Sequence, residues 1–289
     1  MNDRLYYWTA ILLTLFSLSA QAIDVRHAEA REGSVLDQYS IDLLKYLIES
    51  SGETANLIPY KPSGAQTRKE LQLKEGKYDI DWLGATADIE QRVTPIRYPI
   101  LRGLLGHRVF ITNKQISGKL SKGMSVDDLK AMTLVQGQGW GDIPILVGGG
   151  FTRMQTSPSF DNIFKMIDSN RADLFPRSII EPYGELASRC KLDENYVCTD
   201  KNMLVDDKLL VVYKLPMFYF VSPTRQDLID LLNKAFSTHY DGFLEFFNNH
   251  PLVKDSLQKM EGRTVFKIEK NESLSAETNA IPDKYWLSL

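Results

Sequence analysis

The sequence predicts an α/β fold made of two successive strand-and-helix units, and three observations carry that expectation. Short apolar runs alternate with helical segments in a βαβαβ order up to residue 83, which implies parallel strands with helices on their faces. A polar connector at residues 113–123 leads into a second set of strands and helices. In both units a turn of small residues stands at the carboxyl end of a strand, where open α/β sheets hold their ligands.

In the first unit, Ile23-Asp24-Val25-Arg26 reads as a strand. A helix follows from about Ser34, with Leu36, Tyr39, Leu43, Leu44, Leu47 and Ile48 on one face at helical spacing, and Gly52 ends it. Residues 56–60 form a second strand, Gln66 to Lys74 a helix, and Tyr78 to Leu83 a buried strand closed by Gly84-Ala85-Thr86. Gly76 suits the left-handed cap between that helix and strand. Arg92 stands six residues after Thr86, and Val109 to Thr112 reads as a further strand.

The second unit opens with Ser125-Val126-Asp127-Asp128, which resembles a capping box. The strand at residues 133–135 runs into a glycine-rich turn, Gln136 to Asp142, followed by a helix to Val147. Asp161 to Ser169 is an amphipathic helix, and residues 172–175 form a strand. Leu209–Tyr213 and Leu215–Val221 are β-rich, Asp227–Phe236 and Tyr240–Phe247 are closing helices, and Thr264–Ile268 is a last strand-like run.

Residues 1–22 have the pattern of a secretory signal: Arg4, an apolar run from Trp8 to Ala20, and an A-x-A site with cleavage after Ala22. The run is short of the roughly 20 residues a membrane span requires, and no cysteine follows it to carry a lipid anchor. A soluble, periplasmic mature chain is the expectation. The formal charge of −3 argues against nucleic-acid and anionic-membrane partners, which select basic faces. Cys190 and Cys198 read as a disulfide in an oxidising compartment. A redox pair or a metal site is the rival reading, but the spacing is not C-x-x-C and no histidine is near.

Taken together, KYDIDWLGATADIEQR, the Asp128-Leu129-Lys130 helix with Gln136–Gly141, and Arg171-Ala172-Asp173 before Leu174–Arg177 resemble the type 2 periplasmic solute-binding proteins, a group related to the amino-acid-binding proteins of ABC transporters. The resemblance implies two lobes, each a mostly parallel sheet flanked by helices, joined by crossing strands at Val109–Thr112 and Met217–Val221. Lobe 1 would comprise residues 23–112 and 216–260, lobe 2 residues 113–215, with the tail 261–289 packing on lobe 1. Hinge closure around a ligand follows from that architecture.

The resemblance also assigns site residues. Thr86 and Arg92 map onto the hydroxyl and guanidinium that hold a ligand carboxylate, with Arg92 one residue beyond the usual spacing. The family's acidic partner for a ligand ammonium is missing, since Pro176-Arg177-Ser178 stands there. An inward-facing Arg177 would repel an ammonium, so the expected ligand is anionic or neutral and polar. Trp140, flanked by Gly139 and Gly141, is read as a stacking surface, with packing on the following helix as its alternative; Gly139, Gly141 and Asp142 would offer amides to an anion. Thr86 and Arg92 have plain alternatives as a turn former and a solvated helix residue. Tyr39, Trp82 and Arg26 complete the set of ligand-binding candidates: core packing is the favoured alternative for Tyr39 and Trp82, Arg26 at the end of the first strand would reach the cleft mouth, and the role of Tyr183 is unreadable.

Three functions follow: a solute receptor, an enzyme on the same scaffold, or a sensory or accessory protein. The four histidines are scattered, and neither H-E-x-x-H nor G-x-S-x-G occurs. Paired carboxylates such as Asp79 and Asp81 could be invoked for catalysis, with capping of the turn as the alternative for Asp81. The reading is therefore a binding protein, not an enzyme, with no cofactor or metal. It would be monomeric, with a small-molecule ligand and an inner-membrane permease or receptor as partner.

Overall fold

The computed structural model describes residues 22–31, 33–64 and 66–287. Apart from Ala22, the expected signal segment lies outside the described residues. Along the chain, β1 (Ala22–Ala28), α1 (Val35–Ser50), β2 (Thr54–Tyr60), α2 (Gln66–Lys74), β3 (Ile80–Gly84), α3 (Ala87–Glu90) and β4 (Thr94–Ile96) make the first unit. The second holds β5 (His107–Asn113), α4 (Lys114–Ser117), α5 (Val126–Lys130), β6 (Leu134–Gly137), α6 (Ile143–Gly148), β7 (Met154–Ser157), α7 (Phe160–Asp168), β8 (Leu174–Ser178), α8 (Pro182–Ala187), β9 (Met203–Val205) and β10 (Leu209–Tyr213). The chain then returns through β11 (Met217–Val221), α9 (Gln226–Thr238), α10 (Tyr240–Asn249) and α11 (Pro251–Met260), and ends with β12 (Thr264–Ile268) and α12 (Ala276–Asn279).

Two sheets result, each the base of one lobe. The first has the order β2-β1-β3-β11-β4, and the second β12-β10-β5-β8-β6-β7 with β9 also on β5. The βαβ portions pair in parallel, whereas β11 is antiparallel to β3 and β5 is antiparallel to β8, β9 and β10. The helix α1 shows why the first layer forms. Ser34 caps it by accepting from the Asp37 amide at 3.2 Å, and Leu36, Tyr39, Leu43, Leu44, Leu47 and Ile48 are all buried on one face. Each such side chain contributes roughly 1.5–3 kcal/mol on leaving water.

The crossings differ in place from the sequence expectation. β5 lies wholly in the second sheet and β11 wholly in the first, so the chain changes lobes in the turns that feed them, near Leu104–Gly106 and after Tyr213. β5 belongs inside a sheet because all seven of its residues are buried between strands on both sides. The two crossing turns touch: a Cβ on Gly106 would fall 1.9 Å from the Tyr213 carbonyl oxygen, so only glycine fits. A third crossing comes from the tail. β12 pairs in parallel with β10 in the second sheet, not on lobe 1. Only then does the chain return to the first lobe, where the Ser275 and Thr278 hydroxyls donate to Glu90 at 2.8 and 2.7 Å and Arg102 donates to the Trp286 carbonyl at 2.8 Å. The Cys190–Cys198 disulfide is formed, closing the loop after α8. No described helix is long and apolar enough to cross a membrane.

Candidate functional site

The loops after β1 and β8 face each other across the boundary between the lobes. Between them lies a cleft of about 200 Å³, lined among others by Arg31 and Ser34 from the first lobe and Phe160, Glu181, Gly184 and Glu185 from the second. The lobes touch beside it: a Cβ on Gly141 would lie 2.9 Å from Thr86 Cγ2, and one on Gly184 3.4 Å from the Gly33 carbonyl oxygen.

On the first lobe, Asp37 stands in the opening turn of α1. The Arg31 guanidinium donates to both of its oxygens at 2.8 and 3.0 Å, and the Trp82 indole N–H donates at 2.8 Å. Burial works against the ionised form, but Arg31 and Trp82 outweigh it and hold the Asp37 pKa below the usual carboxylate range.

On the second lobe a larger network is packed away from water. Arg177 donates to Glu185 at 2.8 and 2.5 Å and to Glu181 at 2.6 Å. The other Glu181 oxygen accepts from the Ser178 amide at 2.8 Å and lies 3.4 Å from Arg108. Arg108 is 3.3 Å from Asp142 and donates to the Tyr213 hydroxyl at 2.7 Å, while Asp142 accepts from Gln136 at 2.7 Å. Burial pushes the Glu185 pKa up against the pull of Arg177, and burial also raises that of Tyr213 well above its ordinary value.

The sequence-derived residues fare unequally. Thr86 sits at the lobe contact, where its hydroxyl accepts from the Ile89 amide at 3.3 Å and so caps α3. Arg92 does not reach the cleft: it is held within the first lobe by buried Glu70 at 2.6 Å and by Asp88. Trp140 is not among the residues that line the cleft. It folds back over Gly137, where a Cβ would lie 2.1 Å from its ring, and packs on Phe160, Phe175 and Arg177. Gly139 adopts a φ of +80° in that turn. Gly141 meets Thr86, and the buried Asp142 carboxylate is already engaged by Gln136 and Arg108, so neither is free for the anion role given to these residues.

Arg177 lies buried behind the cleft wall, held by two glutamates that line the cleft, and is not a free cation facing it. Tyr39 is core, its hydroxyl donating to the Ile100 carbonyl at 2.7 Å. Trp82 is buried, with its ring near His27. Arg26 pairs with Asp79 at 2.7 Å, beside the start of β3, and is not among the residues that line the cleft. Asp79 is bound by Arg26 and Arg225, and Asp81 accepts from the Tyr78 hydroxyl at 2.9 Å. Both carboxylates are thus engaged by side chains of the first lobe.

Arg31, Asp37, Arg108, Glu181, Glu185 and Tyr213 were missed by sequence reasoning. Ser34-x-x-Asp37 at the start of α1 has the form of a capping box and marked part of this set. Glu181-Pro182 marked the start of α8. Among the described residues no group of His, Cys, Asp and Glu is placed to hold a metal.

No protein-family model matches the chain, and no curated protein matches it. Solved structures do. An ancestral arginine-binding protein bound to arginine aligns with a TM-score of 0.53 at 15% identity over 78% of this chain and 96% of its own. The Bordetella pertussis BvgS VFT2 domain, as a double mutant, aligns at 0.56 and 16% identity over 78% and 92%. A Salmonella typhimurium periplasmic binding protein of high arginine specificity aligns at 0.54 and 15% identity over 79% and 98%. With two helix-flanked sheets and a cleft between them, the chain has the type 2 solute-binding-protein fold.

Proposed function

We propose that the chain is an exported solute receptor that closes two lobes around a small polar molecule and hands it, or reports it, to a membrane partner. The observation that carries this reading is the cleft itself, lined by polar side chains of both lobes at the carboxyl ends of β1 and β8. At about 200 Å³ it is smaller than the roughly 300–1,000 Å³ of drug-sized ligand pockets.

The charge of the cleft argues for a net-neutral solute, zwitterions included. Arg31, Arg189, Glu181 and Glu185 line it, and each already has an opposite charge within the chain. An anion would find no unpaired guanidinium, so the anionic half of the sequence expectation is given up. Amino acids, the ligands of two of the similar structures, belong to the chemical range to be screened. Binding without turnover, as a monomer, is the simplest use of such a cleft. Reporting to a receptor instead of a permease is the second reading, favoured by the likeness to a histidine kinase sensor domain that aligns with a TM-score of 0.51 at 12% identity over 78% of this chain and 93% of its own.

Thermal denaturation against a panel of neutral, zwitterionic, cationic and anionic metabolites tests this. The Tm should rise with one net-neutral class, and the rise should vanish in Gly184→Leu, whose side chain would enter the cleft opposite Gly33. A response confined to anions, or one unaffected by that substitution, refutes the reading.

A further inference from the structure

We infer that Arg177 sets the specificity of this cleft: its guanidinium fills a cage built for a cationic head group and so keeps cationic solutes out. The inference rests on the receptor reading above. Three aromatic rings surround the guanidinium carbon, Trp140 at 5.1 Å, Phe175 at 5.1 Å and Phe160 at 5.6 Å. Its N–H groups meet Glu185 through two bonds and Glu181 through one. Aromatic faces combined with two carboxylates make a site that selects planar cations, because ring quadrupoles and charge-assisted bonds both favour a guanidinium.

Four chain segments supply this cage. Phe175 and Arg177 share one face of β8 through the two-residue period of a strand, while Trp140 comes from the glycine turn after β6. Phe160 opens α7, and the glutamates flank and occupy the first turn of α8. The arginine side chain is 4% exposed.

The cage and the cleft share walls. Phe160, Glu181 and Glu185 line the cleft on one side and hold Arg177 on the other. Both glutamates are engaged by Arg177, and Glu181 also meets Arg108 and the Ser178 amide. A cation entering the cleft thus meets carboxylates that are already matched. Truncating Arg177 would join the cage to the cleft and leave two carboxylates and three rings free for an external guanidinium.

The test measures binding of methylguanidinium chloride to the wild type, Arg177→Ala and Arg177→Lys by calorimetry, with sodium chloride at equal ionic strength as control. Arg177→Ala should bind methylguanidinium at least tenfold more tightly than the wild type or Arg177→Lys, both of which keep a cation in place. Saturable binding to the wild type of equal strength, or a folded Arg177→Ala that binds no better, overturns the assignment. If Arg177→Ala folds only when refolded in methylguanidinium, the cage is confirmed; if the probe does not rescue it, the assignment fails. A wild type that still binds a neutral solute while Arg177→Ala gains nothing leaves the receptor reading intact and removes only this inference.

Discussion

The first lobe edges the cleft with one ion pair, Arg31 with Asp37, whose arginine side chain is 59% exposed; the second presents Arg108 and Arg177, 5% and 4% exposed, locked to Asp142, Glu181 and Glu185. Water reaches the arginine of the first arrangement but not its buried carboxylate, and cannot reach most of the second. A charge inside the protein is tolerated only while its partners are in place, whereas an exposed pair is worth little and exchanges readily. The second-lobe wall is therefore set before any solute arrives, and Arg31 is the member free to reorganise around one.

Stability measurements can break this contrast. The largest loss is expected for Glu185→Ala, which strips Arg177 of its two-bond partner and should cost roughly 3–5 kcal/mol in denaturant unfolding. A loss near zero would mean that the buried wall is no more committed than the exposed one.

Acidification probes the crossing that joins the walls. His107 Nδ1 donates to the Gly103 carbonyl at 2.9 Å, its Nε2 is buried without a partner, and burial lowers its pKa to about 4. The unfolded chain takes up that proton near pH 6.5, so between pH 6.5 and 4 the unfolded state holds more protons. Its contribution is complete above pH 6.5 and is lost as the pH falls, by roughly 3 kcal/mol at pH 4. Asp81 acts in the opposite sense, since burial pushes it up to about 6 and the folded state then holds the extra proton. His107→Asn should remove the acid-sensitive slope while leaving that of Asp81; an unchanged pH profile would exclude His107 as its source.

Reducing the Cys190–Cys198 bridge tests whether the second lobe's rigidity extends to the loop beyond α8. The closed loop is short, so the expected loss is about 2–3 kcal/mol by chain entropy, read as a lower Tm under reductant. Arg31→Ala leaves the buried Asp37 carboxylate with Trp82 as its remaining side-chain donor and should cost less than Glu185→Ala, roughly 1–3 kcal/mol, while also changing solute affinity. A larger stability loss than for Glu185→Ala would reverse the contrast.

The fold was legible where periodicity is local. The Ser34 cap and the buried stripe of α1, the strand ending at Gly84, and the glycine turn after β6 all follow from neighbouring residues. The site was legible only in part, because its chemistry depends on partners far apart in sequence. Arg92 looked available since Glu70, 22 positions upstream, gives no spacing signal. Arg177 was read as facing a ligand, yet it faces Glu181 and Glu185, which went unread because Pro182 and Gly184 conceal the six-residue α8 that Glu181 precedes and Glu185 occupies. Trp140 was read as a stacking surface for a ligand, but the group on its ring is the chain's own Arg177.

Mass spectrometry of the small molecules released on denaturing the purified wild type and Gly184→Leu proteins tests the two-lobed receptor most directly. One net-neutral polar compound should be recovered in proportion to the wild-type chain and be depleted from Gly184→Leu. Equal recovery from both proteins, or an anion as the retained compound, would contradict it.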